Sequence, residues 1–222
     1  MLFLTIPTAG NRTELLNRLI ADCGLPLSRI ILVATRPNLQ FPNGVQVVED
    51  LGPPNIQRWW ALGIAAAEDR GATAVAVLND DVRISNTTLP TLHEAMKATG
   101  AAIACPSRPG IRDGLHRRPL VPYEPRIWGS IWLLDLSTDL RPDPRYQWWY
   151  GDNDLDIRAR KHHGGVVLAS VDYEHIHPTE ATFSSPDLIA LVDQDTVRYE
   201  NQYRRILNLT RRINRLRRKV ST

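Results

Sequence analysis

Five apolar residues in a row, Ala74-Val75-Ala76-Val77-Leu78, run directly into Asn79-Asp80-Asp81. A short apolar run without alternation is the pattern of a strand covered on both faces, which belongs in the parallel sheet of an α/β domain. Ligands in such sheets collect at the carboxyl ends of the strands, so acid placed there faces a ligand. Adjacent carboxylates repel unless a cation or a hydrogen-bond network shares their charge, and hard oxygen donors suit Mg²⁺ or Mn²⁺. Asn and Asp are also ordinary turn residues, so this stretch alone leaves a solvated turn open.

The flanking sequence supplies layers for that strand. Leu2 to Ile6 reads as a first strand, Pro7 to Asn11 as a turn-rich loop, and Arg12 to Cys23 as a helix periodic through Leu15, Leu16, Leu19 and Ile20. Strands at Arg29–Ala34 and Val45–Glu49 follow, then a helix from Ile56 to Arg70 packed through Trp60, Ile64 and Ala67. The order up to Leu78 is thus β-α-β-β-α-β, a layered α/β domain with a mostly parallel sheet. Beyond it come a helix from Pro90 to Gly100, a strand at Ala101–Cys105 and an irregular loop or lid from Pro106 to Arg126. Trp128–Leu134 returns to strand character. A Pro- and aromatic-rich loop (Arg141–Trp149), a helix (Asp152–His163), a strand (Val166–Ala169) and an extended piece (Ser170–His177) complete a domain over residues 1–185.

No stretch approaches the ~20 apolar residues of a membrane span. The N-terminus lacks a basic region and a long apolar region and breaks at Pro7, so it reads as a strand and not a leader, and a cytoplasmic location is expected. Cys23 and Cys105 have no metal-ligand spacing and read as buried small residues.

Residues 186–222 differ. The formal charge is only +3, yet the basic excess concentrates in the last twenty residues. Tyr199, Ile206, Ile213 and Val220 fall seven apart, with Leu209 and Leu216 between them, the Ile/Val-and-Leu heptad of a parallel two-stranded coiled coil. A homo-oligomer through this helix is the first expectation, and one amphipathic helix folded back on the domain is the competing one. The Arg-rich flanks would also suit peripheral contact with an anionic membrane. The regular seam without a bulky aromatic face ranks that second, and no specific nucleic-acid partner is expected.

A second acidic pair, Asp152 and Asp154, falls at a helix N-terminus, where the dipole favours ionised carboxylate and where simple capping is the alternative. His175 and His177, two apart in an extended stretch, share a face.

Taken in order, Ile6-Pro7-Thr8-Ala9-Gly10-Asn11-Arg12, Asn79-Asp80-Asp81 and Tyr150-Gly151-Asp152-Asn153-Asp154-Leu155-Asp156-Ile157-Arg158 resemble three motifs of family-2-type GT-A glycosyltransferases. These are the IPT-x-x-NR start, the DxD-type metal motif, here in the NxD form associated with rhamnosyltransferase-like members, and the ED-x-DL-x-x-R helix. The resemblance runs from Leu2 to His177 and leaves the tail outside. It implies that Pro7, Thr8, Asn11, Arg12, Asn79 and Asp80 line the nucleotide of a nucleoside-diphosphate sugar. It further implies that Asp81, completed by His175 or His177, binds Mn²⁺ or Mg²⁺, that Asp152 is the general base with Asp154 the acid beside it, and that transfer inverts the anomeric centre. Trp128, Trp148 and Trp149 would offer flat faces to a glycan, lipid-linked or protein acceptor, while Trp59, Trp60 and Trp132 read as core.

Chemistry asks for the same two acidic clusters: a Lewis acid neutralises charge growing on the leaving diphosphate, and a carboxylate takes the acceptor proton. The chain departs from the family pattern in having no acid after its second strand to read the nucleobase, and Arg58 or Arg36 is expected to replace part of that contact. Two other functions compete. A sugar-phosphate nucleotidyltransferase would want a Gly-rich phosphate loop with a lysine, whereas Pro7–Arg12 has one Gly and no Lys. A catalytically degenerate carbohydrate-binding or scaffolding domain would bind without turning over.

Overall fold

The computed structural model describes residues 1–177 and 185–220. Its centre is an eight-stranded sheet in the order β3-β2-β1-β4-β8-β6-β9-β7. The strands are β1 (Leu2–Thr8), β2 (Ile30–Ala34), β3 (Gln46–Glu49), β4 (Ala74–Leu78), β6 (Ile103–Pro106), β7 (Gly114–His116), β8 (Ile131–Asp135) and β9 (Val166–Ala169). β3, β2, β1 and β4 run parallel. β8 enters antiparallel between β4 and β6, and β7 closes the far edge antiparallel to β9.

Two cores lie on the two faces, and β4 shows how its sequence serves both. Ala74, Ala76 and Leu78 point into one core with Leu16, Leu19 and Ile20 of α1 (Thr13–Asp22) and Leu89, Leu92 and Met96 of α3 (Thr88–Thr99). Val75 and Val77 point into the other, with Trp60 and Ile64 of α2 (Ile56–Glu68) and Leu155 and Ala159 of α4 (Gly151–His162). Successive residues of a strand alternate faces, so a strand sandwiched between helices must be apolar throughout. Gly63 lets α2 close on the sheet, because a Cβ there would fall 1.8 Å from Thr5 Oγ1.

A separate two-stranded ribbon pairs β5 (Val82–Ile84) with β10 (Tyr173–His175), His175 lying opposite Val82. β7 falls inside the segment expected to be irregular. These three strands of three residues each are too short for their alternation to stand out from loop sequence.

The tail forms two helices, α5 (Pro186–Gln202) and α6 (Arg204–Val220), broken at Tyr203. Tyr199 and Tyr203, 3% and 8% exposed, pack with Tyr146 and Ile157 of the domain. This corrects the continuous heptad: its first position is spent on the domain core, because an aromatic at the end of α5 buries more apolar surface there than at a solvent seam. Among the described residues no helix is long and apolar enough to cross a membrane.

Candidate active site

A cavity of about 780 Å³ opens at the carboxyl ends of β1 and β4. Both acidic clusters face it: Asp80, Asp81 and His175 from one side, Asp152 from the other, with Trp128, Trp148 and Trp149 along its wall.

At the β1 end, the buried Thr8 hydroxyl donates to Asp80 Oδ2 at 2.7 Å and accepts the Gly10 N–H at 3.0 Å. Gly10 takes φ +71°, a left-handed conformation natural to glycine, which folds the Pro7–Arg12 loop back over the acid. Arg12 Nη1 lies 3.3 Å from both Asp80 Oδ1 and Asp81 Oδ2, so one guanidinium serves two adjacent carboxylates. Burial still wins at Asp80, lifting its carboxyl above the usual range despite the Thr8 and Arg12 contacts. Asn79 lines the cavity and its N–H donates to the Ser130 carbonyl.

Asp81 is 4% exposed, and its Oδ1 is buried without a hydrogen-bond partner. His175 Nε2 stands 3.2 Å from that oxygen. The β5–β10 ribbon creates this juxtaposition, and the Ile176 N–H bonded to the Asp81 carbonyl fastens it. Ser130 and Tyr173 hydroxyls bond across the same strand. No group of three or more His, Cys, Asp or Glu poised for a metal occurs among the described residues. The chain therefore offers one orphaned carboxylate oxygen and one imidazole nitrogen, a donor pair that fits a divalent cation whose remaining ligands come from a diphosphate. Of the two histidines, His175 is at that oxygen, while His177 lines the cavity further out.

Asp152 sits in the first turn of α4. Tyr150, at φ +62°, turns the chain into the helix, and Gly151 passes so close to Gln57 that a Cβ would fall 2.0 Å from its amide. Asp152 Oδ1 accepts the Asn153 N–H at 2.9 Å, and Oδ2 rests against Gly129, 3.1 Å from where a Cβ would be. Burial raises its carboxyl to about 6, against the opposing pull of backbone N–H groups and the Arg108 charge. A carboxylate so tuned is ionised at neutral pH and still basic enough to accept a proton.

Asp154 and Arg58 are placed otherwise than expected. Two residues along a helix turn the side chain by roughly 200°, and Asp154 accordingly points away from the cavity. It is fully buried, paired with Arg158 at 2.7 Å and accepting from Tyr203 Oη at 2.5 Å and Gln202 Nε2 at 3.0 Å. Its role is to bind the tail. Arg58 is drawn by Asp50 (2.6 Å) and the Pro53 carbonyl (2.7 Å) and does not line the cavity. Arg36 instead bonds Asn11 Oδ1 at 2.9 Å, at the β1 end of the cavity.

The aromatic wall is larger than expected. Trp59 and Trp60, both buried, also line it; Trp59 stands edge-on to Trp148 at 5.9 Å, and Trp60 edge-on to Trp132 of the core at 5.3 Å. The Arg108 guanidinium lies 4.0 Å over the Trp128 ring. What holds the wall is a residue of the tail. Asp195, fully buried in α5, accepts the N–H groups of Gln147, Trp148 and Trp149 at 2.9, 2.7 and 2.9 Å on one oxygen and Arg198 Nη1 at 2.8 Å on the other. Beside it Tyr199 stacks on Tyr150 at 4.6 Å. Gln57, Gly129 and Asp195 carry no motif; the one signal available for Asp195 was an acid on an otherwise apolar helix stripe.

No family model matches the chain, and no curated protein matches its sequence. Solved structures do match. S. aureus TarS 1–349 aligns with a TM-score of 0.57 at 10% identity, over 86% of this chain and 65% of that one. Its complex with UDP-GlcNAc aligns at 0.55 and 14%, over 93% and 70%. S. aureus TarS aligns at 0.56 and 15%, over 82% and 38%. The chain thus spans less than two thirds of the first of these structures. At such identities the likeness shows the fold alone, and that fold, a mostly parallel sheet between helices with a helical C-terminal region, is the GT-A-type α/β architecture the sequence motifs imply.

Proposed function

We propose that this chain is a divalent-metal-dependent, inverting glycosyltransferase of the family-2 type, moving a sugar from a nucleoside-diphosphate donor to an acceptor hydroxyl. The observation that carries the proposal is the convergence on one cavity of two unlike acidic sites, the orphaned Asp81 oxygen beside His175 and the proton-accepting Asp152.

In this reading Pro7, Thr8, Asn11 and Arg12 hold the nucleotide, Asp80 lies by the ribose, and Asn79 supports the sugar diphosphate. Asp81 and His175 would hold a divalent cation, which would supply Lewis acidity for the departing diphosphate. The acceptor, laid against Trp128, Trp148 and Trp149, attacks the anomeric carbon from the face opposite the diphosphate. The new C–O bond forms as the bond to the phosphate oxygen breaks, and the hydroxyl proton passes to Asp152. The tail clamp through Asp195 keeps the acceptor wall in place, and Asp154 serves that clamp and not the reaction. UDP-sugars are the first donors to test, since a TarS structure of the same fold holds UDP-GlcNAc. The Asn79-x-Asp81 form adds deoxyhexosyl nucleotides to the panel.

The test is binding and hydrolysis across nucleotide sugars with Mn²⁺, on wild type, Asp81→Ala and Asp152→Asn. Metal-dependent donor binding lost in Asp81→Ala, with binding kept but transfer stopped in Asp152→Asn, is the expected result. Donor turnover that neither substitution affects would sink both roles, and an absence of donor binding would sink the enzyme reading.

A further inference from the structure

We propose that α6 docks the protein on an anionic phospholipid surface. The proposal does not rest on the enzymatic reading, and its test uses neither donor nor acceptor.

One side of α6 belongs to the domain: Ile206 and Leu207 pack on the tyrosine cluster, and the Thr210 hydroxyl accepts the Tyr123 N–H at 2.8 Å. A second side is apolar and in water. Leu209 and Leu216 are 46% and 56% exposed, and Ile213 lies between them on the same stripe at about 100° per residue. The rest is cationic. α6 carries Arg204, Arg205, Arg211, Arg212, Arg215, Arg217, Arg218 and Lys219 and no acid. Helical spacing sets Arg205 and Arg212 along one edge of the stripe, Arg217 along the other, and Arg204, Arg215 and Arg218 on the far face.

Charge decides what covers the stripe. In a parallel pair of α6 helices, Arg212 of one copy would approach Arg217 of the other across the seam, the positions where coiled coils place opposite charges. Glu200 of α5 pairs with Arg211. A second copy therefore brings repulsion, and among the described side chains the seam left clear of the domain spans only Leu209 to Leu216. Nucleic acid would satisfy the arginines but has nothing to offer exposed leucines. A phospholipid interface answers both faces: apolar side chains enter the acyl boundary while long basic side chains reach up to the phosphates. Each basic residue close to an anionic leaflet strengthens binding about fivefold, and salt screens the effect.

Co-sedimentation of the full chain with vesicles of phosphatidylglycerol and phosphatidylcholine, against pure phosphatidylcholine, tests this. The expected result is binding to the anionic vesicles alone, weakened at least tenfold by 0.5 M salt on the order of magnitude set by screening. Leu209→Asp/Leu216→Asp should weaken it by at least about tenfold, and Arg205→Glu/Arg212→Glu, along the edge of the stripe, should abolish it. All four side chains are exposed, so the thermal melts of both variants should match wild type. A milder Leu209→Ser/Leu216→Ser variant keeps the test open if the aspartates disturb folding. No partition into anionic vesicles, or partition indifferent to the leucine substitutions, overturns the proposal. So does a dimer in sedimentation equilibrium that the leucine substitutions dissociate.

Discussion

Asp152→Asn should make the protein both inactive and more stable, and the size of the second effect can be worked from the site. Asn keeps the shape of the side chain and the oxygen that accepts the Asn153 N–H, but it cannot ionise. Burial raises the Asp152 carboxyl from 3.8 to about 6, and at ~1.4 kcal/mol per tenfold shift the ionised group costs the folded state about 3 kcal/mol. That is an upper value, because the carboxylate borders an open cavity and water screens part of the cost. The sign follows from the direction. A carboxyl raised on folding costs nothing below 3.8, where both states are protonated, and its full cost is reached above about 6. The stability gap between Asp152→Asn and wild type should therefore open between pH 4 and pH 7 and then stay level. For a chain of this size it reaches roughly 6–12 °C in melting temperature. Thermal melts of both proteins at half-unit pH intervals check this. A gap independent of pH, or a variant less stable at pH 7.5, would refute the account of how the site burdens its acid. In wild type, kcat/KM should rise with pH through about 6 as Asp152 loses its proton, and Asp152→Asn should lose roughly 10²–10⁴ in rate.

Three other outcomes follow from contacts away from the reacting groups. Asp195→Ala strips the acceptor from three adjacent part-buried N–H groups, at no more than about 1–3 kcal/mol for each one left unsatisfied; urea unfolding should show a clear loss of stability, and KM for acceptor should rise while donor affinity holds. Gly151→Ala places a methyl 2.0 Å from the Gln57 amide, so it should reduce transfer and stability, and a Gln57→Ala second change should restore part of the stability. Tyr203→Phe removes the 2.5 Å hydrogen bond to Asp154 and should cost about 1–3 kcal/mol in a denaturant melt without altering metal-dependent donor binding.

Elements whose register is set by burial alone were legible from the chain. β4 and β9 lie where their apolar runs placed them, and α2 and α4 start within a residue of expectation, because a buried strand or a helix against a sheet writes its period into the sequence. Long-range partners do not. Asp154 and Asp152 read alike as acids in a first helical turn; only the direction of the helix axis and the arrival of Tyr203 separate one that faces the cavity from one that faces the tail. The resemblance tied His175 or His177 to Asp81, but choosing between them needed the pairing of β5 with β10, and three residues per strand are too few to announce that pairing. Trp59 and Trp60 read as core and are buried, yet both also border the cavity, a neighbourhood that local periodicity does not announce.

The Asp195 clamp also gives the molecule a temporal order. A ribosome delivers β1, β4 and then the β10 strand with His175 before Asp195, so the Asp81 end of the cavity can take shape on a nascent chain while Gln147, Trp148 and Trp149 still lack the carboxylate that gathers their N–H groups. The aromatic wall is assembled last, by a residue some 46 to 48 positions downstream of the loop it holds. On the proposed function, a nascent chain is thereby able to hold a donor before it can use one.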